Sequence, residues 1–189
     1  MTPIILASAS PRRKDLLREK GYEFRIVPAD VEEIAPDYLT AREITLRNAR
    51  AKACAVSAAH PDALVLGVDT VVSFDGTIFG KPANMDAAFE MASLYNGRSH
   101  EVFSAVWLRH ASAKKDRGFV EITRVHFNQL SDDQLRAYLA RIGPLDKAGA
   151  YAAQDDRGEF IASVEGSFTN VVGLPLEALE AALQDFGRK

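Results

Sequence analysis

The chain has 189 residues, of which 47% are hydrophobic and 26% charged, and its net charge is −3. This composition is typical of a globular protein with a full core, and the length fits a single domain over residues 1–189. Proteins that coat nucleic acid or acidic membranes usually carry a surplus of basic residues. The charge therefore argues against a nucleic acid polymer or a membrane as the partner.

Cysteine usage and the start of the chain bear on the compartment. Cys54 is the single cysteine, so the chain has no internal disulfide, and its Ala-rich surroundings predict a small buried side chain. Residues 1–6 lack the features of a signal peptide, and no apolar run approaches the roughly 18 residues that cross a bilayer. The protein is predicted to be cytoplasmic.

The first half of the chain alternates strands and helices. Apolar and alternating patterns predict strands over residues 4–7, 24–27 and 63–74. Helices are predicted over 11–20, where Gly21 is the stop signal, and over 40–59, which opens with the capping box Thr40–Glu43. Asp75-Gly76 is a turn dipeptide, so the third strand is expected to fold back as a hairpin.

The second half mixes hairpins with helices. Asn84 is the predicted cap of a helix over 85–95, and strands over 100–109 and 119–129 are joined by a polar loop at 111–118. A helix to about Arg141, a Gly-rich stretch over 143–158, a strand over 159–164 and a C-terminal helix follow. Hairpins together with helical crossovers predict an α/β fold with a mixed sheet, which divides the molecule into two lobes around a cleft.

The segment Ser8-Ala9-Ser10-Pro11-Arg12-Arg13 has the features of a phosphate-binding loop. Ser10 is a favoured N-cap and Pro11 a favoured first helical residue, so a helix begins directly after a buried strand. The unpaired N–H groups at that helix end attract anions; Ser8 and Ser10 add hydroxyls, and Arg12 and Arg13 add guanidinium donors suited to phosphate oxygens. An ordinary capped helix with two solvated arginines is the plainer alternative.

Asp69 is a charged residue within the apolar run Leu64–Val72. Such a group is costly to bury unless it is paired or binds a metal, so it is a candidate metal ligand or proton acceptor. A bulge or a buried ion pair would also explain it. Glu32 and Glu33 follow the second strand, and by themselves they are typical of a solvated acidic pair.

Three lysines complete the candidate residues. Lys81 lies in the rigid Gly80-Lys81-Pro82 turn, Lys147 in a Gly-containing loop and Lys52 on the long helix. Each could be plain surface, but with the arginines they would neutralise much of a triphosphate. The four histidines lack metal-ligand spacing, and we interpret them as structural or surface residues.

Six short segments occur in order between residues 8 and 175. They are Ser8-x-Ser10-Pro11-Arg12-Arg13, Val68-Asp69-Thr70, Gly80-Lys81-Pro82, His100-x-Val102, Asp146-Lys147-Ala148-Gly149-Ala150-Tyr151 and Asn170-Val171-Val172-Gly173-Leu174-Pro175. Together they resemble the Maf family, whose members are nucleoside triphosphate pyrophosphatases once described as septum formation inhibitors. Any one segment is a weak signal, whereas six in order are specific.

The resemblance implies an inosine triphosphatase-like fold, with an elongated mixed sheet flanked by helices and two lobes around a central cleft. It implies cleavage between the α and β phosphates to give a nucleoside monophosphate and pyrophosphate. It also implies a divalent metal cation, Mg²⁺ or Mn²⁺, and a possible homodimer. By the same resemblance Asp69 is the catalytic carboxylate that activates water, and Glu33, Lys52, Lys81 and Lys147 are further active-site groups that bind substrate. Glu33 and Asp69 are also the expected metal ligands, because two nearby acids together with phosphate define a magnesium site.

Three positions that touch the base differ among subfamilies of this family. Here they are Arg12, Thr70 and Gln154, a combination that resembles the branch preferring dTTP and UTP. Gln154 can offer both a donor and an acceptor to a pyrimidine edge. The chain departs from the family around Gln154, where Ala152-Ala153 and Asp155–Gly158 replace a Gly-Ile pair and a Gly-rich stretch.

The resulting hypothesis is in-line attack by water on the α phosphorus. Asp69 orients and deprotonates the water, and the lysines and arginines stabilise the leaving pyrophosphate. Two alternatives stay open: a non-catalytic nucleotide-binding regulator of septum formation, and a structural α/β domain whose cationic loop binds a protein. For the enzyme, two cellular roles stay open, removal of noncanonical nucleotides and arrest of cell division. The acids favour the enzyme, because a pure phosphate binder gains nothing from carboxylates.

Overall fold

A computed structural model describes residues 3–187. Within this range the strands are Ile4–Leu6 (β1), Phe24–Ile26 (β2), Leu64–Phe74 (β3), Thr77–Phe79 (β4), Ser99–His110 (β5), Lys115–Phe127 (β6) and Ile161–Glu165 (β7). The α-helices are Pro11–Glu19 (α1), Ala41–Ala59 (α2), Met85–Tyr95 (α3), Asp132–Ile142 (α4), Phe168–Val172 (α5) and Leu176–Gln184 (α6). Single 3₁₀ turns lie at Pro144–Asp146, Ala148–Ala150 and Ala153–Asp155.

The strands form one mixed sheet in the order β2-β1-β3-β5-β6-β7, with β4 paired to β3. β1 runs parallel to both β2 and β3, whereas β3–β4 and β6–β7 are antiparallel. The predicted hairpin at Asp75-Gly76 is therefore confirmed, as is the α/β class with a mixed sheet flanked by helices. None of the helices in the described part of the chain is long and apolar enough to span a membrane.

Two local expectations differ from the structure, and one short helix was not predicted. The predicted loop at 111–118 is shorter, because β6 begins at Lys115, where exposed polar residues adopt an extended conformation. The helix α5 has five residues, too few to show a helical pattern in the sequence. Cys54 is only partly buried, so the prediction of a buried side chain is wrong; it lies toward the edge of the buried face of α2.

The chain divides into two compact units. Within the described residues, unit 1 comprises 3–69, Ser104–Glu121 and 173–187, and unit 2 comprises Thr70–Phe103 and Ile122–Val172. The single domain over 1–189 and the cleft between two lobes stay predictions.

Unit 1 is built around the contact of α2 with β1 and β3. Small and branched side chains fill it, among them Ile5, Ala53, Val56 and Val65. Gly67 of β3 makes the close approach possible, because a Cβ there would lie 2.0 Å from the Ala49 carbonyl oxygen. A residue without a side chain is therefore required where the strand meets the helix.

Unit 2 has an aromatic core. The rings of Tyr95, Phe127 and Tyr151 surround His100, at centroid distances of 4.9, 4.8 and 5.2 Å. Burial lowers the pKa of His100 to about 3, so this imidazole is neutral at physiological pH. His100 is thus a structural residue of the core, as one of the two sequence interpretations has it.

Candidate functional site

The loop after β1 leads directly into α1, as the sequence predicts. Ser10 occupies the N-cap position and Pro11 the first helical position. The Ser10 hydroxyl makes no capping hydrogen bond; instead the Ser10 backbone N–H donates to Ser8 Oγ at 3.3 Å. The loop therefore folds around the buried hydroxyl of Ser8, and the positive end of α1 begins immediately after it.

Arg13 links this loop to other segments of unit 1 by hydrogen bonds. Its Nε donates to the Gly173 carbonyl at 2.9 Å, and its Nη1 donates to Ser8 Oγ at 2.9 Å and to the Val68 carbonyl at 3.1 Å. Desolvation lowers the pKa of Arg13 to about 10, against the opposing attraction of Asp69, so the guanidinium stays charged at neutral pH. The structure thus fixes a positive charge at the loop by contacts with protein groups.

Asp69 lies in β3 with only 5% of its surface exposed. Lys52 Nζ of α2 lies 2.7 Å from Asp69 Oδ1, and the same Nζ lies 2.7 Å from Glu33 Oε1 in the loop after β2. The buried ion pair that the sequence left open is therefore present, and it offsets the cost of burying the aspartate. Glu33 is a second acid at the same lysine, so two carboxylates contact the ammonium group of Lys52.

The Arg13 side chain lies next to Lys52 and the two acids that contact it. Arg13 Nη1 and Lys52 Nζ both donate to the Val68 carbonyl, at 3.1 and 3.3 Å. Two positive charges therefore lie within reach of one carbonyl oxygen, next to Asp69 in the chain. In unit 1 the structure brings together Ser8, Arg13, Glu33, Lys52 and Asp69.

Glu33 and Asp69 supply the kind of oxygen ligand that Mg²⁺ and Mn²⁺ prefer. Among residues 3–187, no group of three or more His, Cys, Asp or Glu side chains is arranged to hold a metal ion. Mg²⁺ commonly binds through one or two carboxylates and completes its coordination with water and substrate phosphates. Both acids lie 2.7 Å from the ammonium of Lys52, so they are close enough together to serve as the carboxylate ligands of such an ion.

Sequence reasoning missed Asn48, which lies one helical turn before Lys52 on α2. Its Nδ2 lies 3.2 Å from Asp69 Oδ2. A signal existed in the sequence, because Thr45, Asn48 and Lys52 recur at the spacing of one helix face, and all three are buried. Polar side chains on a buried face indicate partners, since unpaired polar groups are costly to bury.

Two of the predicted lysines lie on adjoining loops of unit 2. Lys81 is exposed in the turn after β4, and Lys147 Nζ lies 2.6 Å from Asp146 Oδ1. The Gly149 N–H donates to the Gly80 carbonyl at 3.1 Å, which sets the two loops side by side. Gly149 has φ of +75°, a conformation that favours glycine in this loop.

The three residues predicted to read the base lie in different elements. Arg12 is partly buried in the first turn of α1 and belongs to unit 1. Thr70 is partly buried in β3, and Gln154 is exposed in the 3₁₀ turn Ala153–Asp155; both belong to unit 2. Their contacts with a base stay predictions, as do the substrate contacts of Lys81 and Lys147.

Comparisons with known proteins agree over nearly the whole chain. The chain matches the family model described as Maf-like protein over residues 3–186. It is 45% identical over 187 residues to a dTTP/UTP pyrophosphatase of Pelotomaculum thermopropionicum, covering 99% of this chain and 98% of that protein. A protein of the same name from Bdellovibrio bacteriovorus is 42% identical over 188 residues, covering 97% of this chain and 98% of that protein. Another from Bacillus cereus is 40% identical over 186 residues, covering 98% of this chain and 96% of that protein. The resemblance seen in the six segments is thereby confirmed, and the chain belongs to the Maf family.

Proposed function

We propose that this chain is a nucleoside triphosphate pyrophosphatase, which hydrolyses dTTP or UTP between the α and β phosphates to give a nucleoside monophosphate and pyrophosphate. The observation that carries the proposal is the convergence of Asp69 and Glu33 on Lys52 Nζ, each at 2.7 Å. The names of the relatives support the same reaction and the same pair of substrates.

We assign the proton transfer to Asp69. Both of its carboxylate oxygens are held, Oδ1 by Lys52 at 2.7 Å and Oδ2 by Asn48 at 3.2 Å, so its orientation is fixed before substrate binds. A carboxylate held in this way can orient a water molecule and accept its proton as the oxygen attacks the α phosphorus. The proton then resides on Asp69, and the electron pair of the broken bond leaves with pyrophosphate.

The positive groups of unit 1 are suited to binding the anionic substrate. The N-terminus of α1 and the Ser8 hydroxyl offer donors to phosphate, and Arg13 supplies a fixed charge. A divalent cation bound by Glu33 and Asp69 would supply Lewis-acid stabilisation of the phosphate oxygens. The chain's own part is to keep two carboxylates within reach of one cation.

The reaction is tested with a panel of triphosphates in water enriched in ¹⁸O, with Mg²⁺ or Mn²⁺ present. We expect dTTP and UTP to be hydrolysed fastest, pyrophosphate to be released, and ¹⁸O to appear in the monophosphate, because water attacks the α phosphorus. Label in pyrophosphate would mean attack at the β phosphorus, and release of orthophosphate would mean cleavage at another bond. Either result contradicts the proposal.

The same triphosphates, tested both for turnover and for stabilisation of the protein against heat, separate the alternative functions. A non-catalytic nucleotide-binding regulator is stabilised against heat by triphosphates but releases no pyrophosphate. A structural domain whose loop binds a protein shows neither a nucleotide-dependent thermal shift nor turnover. The enzyme shows both.

The family resemblance also leads us to propose a cytoplasmic homodimer. Light scattering coupled to gel filtration is expected to give a mass near twice the 20.7 kDa of the chain. A mass near that of one chain contradicts the dimer and leaves the reaction unaffected.

A further inference from the structure

The side-chain amide of Asn48 makes three hydrogen bonds while only 4% of the residue is exposed. Its Nδ2 donates to Asp69 Oδ2 at 3.2 Å and to the Ile34 carbonyl at 3.0 Å. Its Oδ1 accepts from the Ile34 N–H at 2.9 Å. Because a carbonyl and a carboxylate only accept, the amide nitrogen must face both of them, and the side chain has one satisfied orientation.

We infer that Asn48 is a positioning residue, which fixes the positions of Glu33 and Asp69 relative to each other and so sets the affinity of the site for a divalent cation. This inference rests on the proposed function, in which those two acids bind the cation. Asn48 contacts Asp69 directly, at the carboxylate oxygen that Lys52 does not hold, and it acts on Glu33 indirectly, through the backbone of Ile34, the residue after Glu33.

The loop that carries Glu33 needs contacts that hold its backbone in place. Between β2 and α2 the chain forms no helix or strand, and the Glu33 side chain is 60% exposed. An exposed carboxylate on an irregular segment has many accessible positions, and each fixed contact reduces them. The paired hydrogen bonds from Asn48 to the N–H and the carbonyl of Ile34 fix the backbone at the point where Glu33 is attached.

The Asp69 carboxylate is held from a single helix face. Lys52 contacts Oδ1 at 2.7 Å and Asn48 contacts Oδ2 at 3.2 Å, and the two residues lie one turn apart on α2. Gly67 allows α2 to approach β3 closely, so both side chains reach Asp69 directly from the helix. Outer hydrogen bonds of this kind orient the groups that bind a metal.

Thr45 provides a matched control on the same face. It is fully buried, and its hydroxyl donates to the Ala41 carbonyl at 2.8 Å and to the Arg42 carbonyl at 3.2 Å, both in its own helix. Replacing Thr45 with valine removes a buried polar group from α2 but none of the hydrogen bonds that hold Ile34 and Asp69. It therefore separates the stability of the helix from the positioning of the acids.

The experiment compares Asn48→Leu, Asn48→Ala and Thr45→Val with the wild type. Leucine has the same number of side-chain heavy atoms as asparagine and the same branching at Cγ, although its methyl groups are bulkier, and alanine leaves room for water should the larger side chain prevent folding. Mn²⁺ binding is measured by calorimetry without nucleotide, and kcat and KM for dTTP are measured at saturating Mn²⁺. We expect both Asn48 variants to bind Mn²⁺ about 10–100-fold more weakly, the range typical for loss of an outer-shell partner, and Thr45→Val to match the wild type.

The kinetic constants add a readout that a purely structural role would not move. At saturating Mn²⁺ we expect the Asn48 variants to lose kcat while KM for dTTP changes little, since Asn48 acts on Asp69 and not on the nucleotide. The inference is overturned if the Asn48 variants that fold bind Mn²⁺ as tightly as Thr45→Val, or if the wild type binds no Mn²⁺. The Mn²⁺ titration needs no turnover, so it decides this question even if no pyrophosphate is released and the proposed function fails.

Discussion

Lys52 connects two acids of very different exposure: its Nζ lies 2.7 Å from Asp69 Oδ1 and 2.7 Å from Glu33 Oε1. The Asp69 side chain is 7% exposed and the Glu33 side chain 60%. Water screens the contact with Glu33, whereas the contact with Asp69 is largely shielded from it. The contribution of Lys52 to stability therefore arises mainly from Asp69.

Replacing Lys52 with methionine should destabilise the protein and sensitise it to Mg²⁺. Removing one partner of a buried ion pair leaves an uncompensated charge and costs about 3 kcal/mol. A divalent cation that binds the two acids in the native state returns part of that stability. Calorimetric melting with and without saturating Mg²⁺ should therefore show a larger rise in Tm for Lys52→Met than for the wild type.

Arg47→Met is a suitable control for this change, because Arg47 lies on the exposed face of the same helix. It should keep the Mg²⁺ response of the wild type. Equal Mg²⁺ responses in all three proteins would mean that Lys52 and the cation do not share the acids.

Asp69→Asn should slow turnover strongly without unfolding the protein. Asparagine keeps the shape of the side chain but cannot accept a proton from water, and a positioned general base typically contributes about 10²–10⁴-fold to the rate. We expect kcat for dTTP to fall by that factor, while a thermal shift with dTTP persists.

Asp156→Asn is the matched control, since Asp156 is also buried and accepts hydrogen bonds from the backbone N–H groups of Phe160 and Ile161. Its loss should lower stability and leave kcat nearly unchanged. Turnover by Asp69→Asn close to that of the wild type would refute the role of Asp69.

The elements of the site that the sequence predicts are those with a local signature. Asp69 stands out because a charge within an apolar strand demands a partner, and Ser10-Pro11 marks a helix start at any position in a chain. Such signals need only a few neighbouring residues. The six family segments extend the same principle, since each is a short local pattern.

What the sequence did not predict depends on contacts between distant segments. The Asn48 side chain meets Asp69 across 21 positions in the chain, and the requirement for glycine at 67 comes from the Ala49 carbonyl of another element. Neither contact changes the local pattern of either segment. The start of β6 at Lys115 was missed for a related reason, because its polar side chains resemble a loop although the backbone is extended.

Gly67→Ala should damage both stability and catalysis. The added Cβ would lie 2.0 Å from the Ala49 carbonyl oxygen and 2.7 Å from the Ala53 nitrogen, so α2 must move away from β3. Overpacking of this kind costs about 1–3 kcal/mol, and the shift moves Asn48 and Lys52 relative to Asp69. Urea unfolding should show the loss, and kcat should fall in the molecules that stay folded.

Gly80→Ala tests whether the cause is steric. No atom lies within 4 Å of a Cβ built at Gly80, so the same substitution should change stability there by only a few tenths of a kcal/mol. If both alanine variants unfolded at the same urea concentration as the wild type, the close approach of α2 to β3 would not be a constraint on the fold.

His100 should make the protein sensitive to acid. Its pKa is about 3 in the folded protein, lowered by burial from an ordinary value of 6.5. Between these values the unfolded chain binds more protons than the native state, so the free energy of unfolding rises with pH and falls on acidification. At a pH about two units below 6.5 the native state should lose roughly 2–3 kcal/mol, at about 1.4 kcal/mol per pKa unit.

His100→Leu removes this contribution. Urea unfolding at pH 7 and at mildly acidic pH should show a smaller loss of stability for the variant than for the wild type, even if leucine packs less well against Tyr95 and Phe127 at both values. His126→Leu, at a side chain that is 41% exposed, should keep the wild-type dependence because His100 is intact. A parallel loss in wild type and His100→Leu would assign the acid sensitivity to other groups.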